Sequence, residues 1–108
     1  MTESSVMAML RTTLAALMLA AAPALSAFGQ DAAQQQARCE LAALGNTRSA
    51  LAIQLIRSAC NWLALNGDSL LNAGSRPYYA CLLERLSGVQ ADEAAAAITA
   101  ACRSAYPP

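Results

Sequence analysis

Four cysteines, each 21 residues from the next, are the feature that most limits how this 108-residue chain can fold. They are Cys39, Cys60, Cys81 and Cys102, and the chain contains no others. An even number of cysteines in a short exported chain is typical of a disulfide framework. Two disulfides, at roughly 2–4 kcal/mol each, are comparable with the whole net stability of a small domain. We therefore predict that the fold depends on two cross-links more than on a large core.

Residues 1–27 have the three parts of a secretory signal peptide. Arg11 precedes an eleven-residue run that is apolar apart from two threonines, and small residues follow it. This pattern predicts cleavage after Ala27 or Gly29 and a single domain over residues 28–108. The alternative is an uncleaved membrane anchor, which needs roughly 20 apolar residues. The shorter run favours a removed signal, so we expect no membrane span in the mature chain.

Composition indicates a compartment and excludes some partners. Seven arginines and seven acidic residues balance each other without forming runs, and lysine and histidine are absent. This distribution predicts no surface for nucleic acid or an anionic membrane. Arginine without lysine in an alanine-rich chain is typical of a GC-rich bacterial source. We therefore predict a bacterial protein of the periplasm or the exterior.

The positions of alanine, glycine and proline predict an all-α domain of four short helices in a small bundle. The expected ranges are residues 31–44, 47–66, 76–87 and 91–105. Gly45, Gly67 and Gly88 follow the first three helices, as helix-ending glycines do. Residues 67–74 have two interpretations, a loop or one additional helical turn.

The starts of three helices carry their own signals. Asn46 or Thr47 is a suitable cap for the second helix. Ser75 is a natural cap for the third helix, and Pro77 suits its first turn. Asp92 lies in the first turn of the fourth helix, where the helix dipole favours an acid.

The apolar positions predict which helix lies at the centre. The second helix is apolar on nearly every side, so we expect it in the middle of the fold. The fourth helix is expected to bury a narrower stripe, formed by Ala94, Ile98, Ala101, Cys102 and Ala105. Its alanines would let another helix come close, as a disulfide requires.

A weak repeat accompanies the cysteines. The residues two and five positions after each of the first three cysteines are large and apolar. They are Leu41 and Leu44, Trp62 and Leu65, and Leu83 and Leu86. A 21-residue unit suggests an old helix duplication, with chance as the alternative. These residues lie almost opposite their cysteine on an ideal helix, so the cysteines either link helix flanks or belong to a more layered fold.

Four cysteines allow three pairings, and helix heights separate them. If the second and third helices turn near residues 70–71, Cys60 and Cys81 lie at the same height. On the same reasoning Cys39 is offset from Cys60 by about 12 Å, and Cys81 from Cys102 by about 7 Å. We therefore predict a Cys60–Cys81 disulfide nested within a Cys39–Cys102 disulfide.

The residue types exclude the common catalytic and metal-binding arrangements. No two cysteines are close enough for the C-x-x-C pairs of zinc, iron–sulfur or thiol redox sites. Without histidine there is no catalytic triad and no covalent haem motif. Asp92 and Glu93 are interpreted as solvated helix-start acids and not as a catalytic pair. We expect no metal, no cofactor and no enzymatic activity.

Aromatic and arginine residues are the remaining indication of function, because they often anchor interfaces. Arg76, Tyr78, Tyr79 and Tyr106 are a possible interface, while Trp62 is expected in the core. The leading hypothesis is an exported non-enzymatic interaction protein with a protein partner, such as an inhibitor, an immunity-type protein or an envelope accessory. The alternative is a carrier of a small apolar ligand or lipid, with a cavity between the second and third helices. A third possibility is an envelope protein that self-associates.

Overall fold

The computed structural model describes residues 31–108. The predicted signal peptide, residues 1–27, and its two cleavage sites lie outside the described residues. Within residues 31–108 the chain forms four α-helices, one short 3-10 helix and no strand. The prediction of an all-α fold with two disulfides is confirmed.

The helices follow the predicted order along the chain. They are α1 (helical over residues 31–44), α2 (Ala50–Asn66), a 3-10 helix (Leu70–Ser75), α3 (Arg76–Leu86) and α4 (Asp92–Ala105). The helix α2 begins later than predicted, because its cap is Ser49 and neither of the two residues expected. The Ser49 hydroxyl oxygen accepts a hydrogen bond of 3.0 Å from the Ala52 amide. The additional turn before α3 is present as the 3-10 helix.

The predicted disulfide pairing is wrong. The bonds are Cys39–Cys60 and Cys81–Cys102, with Cα–Cα distances of 5.6 Å and 5.8 Å. Cys60 is therefore not joined to Cys81, nor Cys39 to Cys102. Each bond joins two consecutive helices, so the fold consists of two stapled helical hairpins. We call α1 and α2 hairpin 1, and α3 and α4 hairpin 2.

The connections between helices explain the error. In each hairpin the first cysteine lies five residues before its helix ends, and the second lies ten residues after the next helix begins. If both helices met the turn at the same height, the two cysteines of a hairpin would lie about 7.5 Å apart along the helix axis. Ser49 and Ala91, the last residues of the two connections, are extended. Because an extended residue advances about 3.3 Å, against about 1.5 Å in a helix, these residues reduce the difference in height. The prediction from sequence placed each turn at the midpoint of its connection. It did not include the length that extended residues add along the helix axis.

The structural repeat is 42 residues long, twice the predicted period. The helix α4 begins 42 residues after α2, and both disulfides bridge 21 residues. The turns also match, because Thr47 donates its amide to Leu44 at 2.8 Å and Val89 donates to Leu86 at 3.1 Å. Seven residues are identical at this offset. The pairs are Cys39/Cys81, Leu41/Leu83, Leu44/Leu86, Ala52/Ala94, Ile56/Ile98, Ala59/Ala101 and Cys60/Cys102.

The core lies where the two hairpins meet. It consists of Ala43 from α1, Ala52, Ile56, Ala59 and Cys60 from α2, Tyr78, Leu82 and Leu86 from α3, and Ala95 and Cys102 from α4. The helix α2 packs against α3 and α4 and is joined to α1 by its disulfide, which agrees with its predicted central position. The stripe predicted for α4 is wrong in part, because Ala95 is buried where Ala94 was expected. Ala101 and Ala105 are exposed.

The large residues that follow each cysteine do not share one environment. Leu41 is 82% exposed and Leu65 is 65% exposed, whereas Leu86 is fully buried. Cys60 and Cys102 are themselves buried. The cysteines of the second helices therefore lie in the interior, and two of the leucines that follow a cysteine face solvent.

The two interhelix connections are hydrogen-bonded to each other. The amides of Arg48 and Ser49 both donate to the Val89 carbonyl at 3.1 Å. The Ser49 hydroxyl donates to Asp92 Oδ1 at 2.5 Å, and the Leu51 amide donates to the same oxygen at 3.2 Å. These hydrogen bonds, first the one from Ser49, lower the pKa of Asp92. An acid at the start of α4 thus also helps to cap α2, and it holds the two hairpins together.

Candidate functional site

An apolar groove runs along the outside of hairpin 2, between α3 and α4. Its volume is about 740 Å³, and it is open to solvent. On α3 the lining residues recur every three or four positions, and those on α4 do the same. This spacing places each set on one face of its helix. The groove is therefore built from two facing helix surfaces that the Cys81–Cys102 disulfide holds together.

Small side chains keep the groove open. Ala80 on α3 and Ala101 and Ala105 on α4 line it, together with the half-buried Ile98. The disulfide holds the α3 and α4 backbones 5.8 Å apart at their cysteine Cα atoms. With alanine at the surrounding positions, nothing larger than a methyl group projects from them. The result is a surface open to solvent between the two helices.

Charged and aromatic residues border the groove. Glu84 and Arg85 are exposed neighbours on α3 and line it. Tyr106, which follows α4, is 49% exposed and also lines it. The groove thus has an apolar interior and a border on which both charge signs are present.

The four predicted interface residues do not form one surface. Tyr78 is only 6% exposed and belongs to the core. Tyr79 stacks on Trp62 with ring centres 4.2 Å apart, so it contributes to the contact between α2 and α3. Arg76 is exposed at the first position of α3. Tyr106 is the one member that reaches the groove. An interface role for Arg76 and Tyr106 stays a prediction.

Comparison with protein families gives one match. A family model described as four-cysteine protein VF_A0006-like matches residues 14–106. The chain belongs to this family. The matched range contains all four cysteines and both hairpins up to Tyr106. No curated protein and no solved structure matches the chain. The family description states the number of cysteines and no activity, so the function has to be argued from the structure.

All four cysteines of this four-cysteine family member are engaged in disulfides. In the part of the chain that the structure describes, no group of three or more histidine, cysteine or acidic residues is placed to hold a metal ion. Nor does any helix among residues 31–108 have the length and apolar character needed to cross a membrane. The groove of hairpin 2 is one surface of residues 31–108 for which a binding role can be argued.

The position of the groove differs from the predicted carrier cavity in this family member. A cavity was expected between α2 and α3, but there the Trp62–Tyr79 stack and the buried Leu82 fill the contact. Sequence reasoning assigned Ala101 and Ala105 to the core and thereby missed the groove. The 42-residue offset pairs Ala101 with Ala59, which is buried, so the sequence contains no signal that Ala101 is exposed.

Proposed function

We propose that this four-cysteine protein is an exported, non-enzymatic binding protein that attaches to another protein through the groove of hairpin 2. Two disulfides are typical of proteins that fold outside the cytoplasm. We place it in a bacterial periplasm or the exterior. The observation that carries the proposal is an open, apolar groove on a domain small enough to need two cross-links.

The dimensions and rigidity of the groove support a protein segment as its ligand. The lining residues span positions 77–85 on α3 and positions 98–106, which comprise the end of α4 and the residue after it. Each span corresponds to about 12 Å, or two helical turns. The disulfide holds both walls in place before anything binds. A preformed surface of this kind lowers the entropic cost of association.

Site-specific photo-crosslinking in intact cells tests this proposal. A benzophenone amino acid replaces Ala101, which lines the groove. In the control it replaces Ala100, the preceding residue on α4, which is exposed and does not line the groove. We expect an adduct with another protein from position 101, identified by mass spectrometry, and none from position 100. Equal labelling from both positions, or no protein adduct from position 101, contradicts the proposal.

A carrier of a small apolar molecule is the second candidate. A volume of about 740 Å³ is within the range of small-molecule sites, and alanines and the disulfide supply an apolar lining. A carrier copurifies with its ligand, so mass spectrometry of an organic extract of the native protein distinguishes it. Ala101→Arg should release a ligand held in the groove, whereas Ala100→Arg should leave it bound. A protein adduct without any extracted ligand favours the first proposal.

A further inference from the structure

The two hairpins carry the same three residues on their second helices; the cysteine is buried in both hairpins, but the isoleucine and the alanine are in different environments. Ile56, Ala59 and Cys60 on α2 correspond to Ile98, Ala101 and Cys102 on α4 at the 42-residue offset. The three on α2 are 0% exposed. On α4, Ala101 is exposed and Ile98 is only half-buried, and both line the groove. A surface that hairpin 1 keeps covered is thus uncovered on hairpin 2.

The structure shows what covers the surface on hairpin 1. The helix α3 packs against α2 and places Tyr78, Leu82 and Leu86 in the same buried cluster as Ile56 and Ala59. These three residues of α3 are four positions apart, so they form one stripe along the helix. The covering element is therefore a helix with a large apolar residue every fourth position.

From this precedent we infer that the groove of hairpin 2 binds an α-helix of another protein, with large apolar residues at positions i, i+4 and i+8. The inference rests on the proposed function and specifies its partner. Large apolar side chains at these positions fill the space above the alanines of the groove, as the side chains of α3 do on hairpin 1. Recognition of an amphipathic helix by an apolar groove is a common mode of binding, and here it needs only about two turns of helix.

A second copy of this chain is a poor source of such a helix. The stripe of α3 is already buried. The equivalent positions on α1 are Gln36, Glu40 and Leu44, of which two are polar. Among the helices of residues 31–108, the strongly exposed leucines are scattered, at position 41 of α1, position 65 of α2, and positions 70 and 71 of the 3-10 helix. A partner of different sequence therefore fits the groove better than the chain itself does.

The test uses a synthetic peptide as a stand-in for the partner helix. Its sequence is residues 75–87 of this chain with Cys81→Ala, and a fluorophore and a helix-stabilising staple are placed off the stripe. Binding to the oxidised protein is followed by fluorescence anisotropy. We expect saturable binding that weakens at least tenfold for protein with Ala101→Arg and is unchanged for the matched control Ala100→Arg. A peptide with Leu82→Glu should also bind at least tenfold more weakly.

Each remaining outcome counts against the inference. Absence of saturable binding overturns it. Binding that is insensitive to Ala101→Arg also overturns it, because the peptide would then be replacing α3 on hairpin 1. Circular dichroism and the melting temperature confirm that both arginine variants are folded.

Other occupants of the groove are distinguished by independent measurements. A concentration-dependent dimer in size-exclusion chromatography that Ala101→Arg abolishes identifies a second copy and overturns the choice of partner. A bound lipid released by the same variant overturns both this inference and the proposed function. A protein adduct from position 101 in cells, combined with no peptide binding, leaves the proposed function standing and rejects only the striped helix.

Discussion

Hairpin 1 and hairpin 2 have the same disulfide loop and seven identical residues at equivalent positions, but they differ in how much of their outer surface is covered. Ala59 in hairpin 1 has no exposed surface, whereas its counterpart Ala101 is exposed and lines a groove. Both are alanines on the second helix, one residue before a cysteine. The difference therefore arises from the neighbouring helices, because α3 and α4 both pack against α2. Covering one copy of a surface completes the core, and leaving the other copy open leaves a groove.

The hairpins also differ in how their second helices begin. Ser49 caps α2 with its hydroxyl, and Asp92 supports that cap from the other hairpin. The corresponding cap of α4 is Ala91, which has no side-chain hydrogen bond. The second helix of hairpin 1 is thus better covered at Ala59 and better capped than the second helix of hairpin 2 is at the equivalent positions. Four predictions test this contrast, beginning with the largest expected effect.

The largest contrast is expected between Ala59→Arg and Ala101→Arg. An arginine at position 59 places a charge and a long side chain in a fully packed core, so we expect a loss of about 4 kcal/mol or more. The same change at position 101 faces solvent and should alter the free energy of unfolding by less than about 0.5 kcal/mol. Urea denaturation measures both. Similar losses at the two positions would show that the hairpins are equally covered.

Removing either disulfide should lower the free energy of unfolding by about the same amount. Each closes a loop of 21 residues, for which the chain-entropy model gives about 3.4 kcal/mol. We expect this loss for the double variant Cys39→Ser/Cys60→Ser and for its counterpart Cys81→Ser/Cys102→Ser, with a difference below about 1 kcal/mol. Denaturation curves of the two variants test the equivalence of the hairpins. An unchanged melting temperature of the wild-type protein in reductant would refute the dependence on cross-links.

Exchanging the capping residues should change the stability of the protein in opposite directions, with a loss at hairpin 1 and a gain at hairpin 2. Ser49→Ala removes the hydroxyl that caps α2 and should cost about 1 kcal/mol. Ala91→Ser adds a capping hydroxyl to α4 and should stabilise the protein by about 0.5 kcal/mol or more. Thermal unfolding of the two variants and of the double variant checks the signs. A loss of stability in Ala91→Ser would mean that its backbone does not accept a capping side chain.

The smallest effect is a dependence of stability on acid pH through Asp92. Because its pKa is lowered in the folded protein, chiefly by the Ser49 hydroxyl, folding favours the ionised carboxylate. Its contribution is complete above the pKa of an unfolded aspartate, about 3.9, and is lost as the pH falls through the lowered value. Asp92→Asn should flatten this part of the pH–stability curve. Glu93→Gln, a change at the adjacent exposed position, is the control and should leave the curve unchanged.

Local signals were sufficient to predict the helices and the presence of two cross-links. Gly45 and Gly88 have positive φ values of 36° and 81° at the turns that follow α1 and α3, where glycine is favoured because it has no Cβ. Pro77 lies in the first turn of α3, as predicted. An even set of cysteines indicated two bonds, and both are present. These features depend on a few consecutive residues or on counting, and neither requires knowledge of the packing.

The pairing of the cysteines and the position of the groove depended on tertiary structure. Pairing is set by the direction in which each sulfur points and by the rise of extended connections, and spacing along the chain contains neither. Residues 94–97 of α4 are all alanine, so their hydrophobicity does not distinguish the inward from the outward face. Ile56 and Ile98 have identical side chains. Only the packing of α3 and α4 against α2 determines that one is buried and the other lines an open groove.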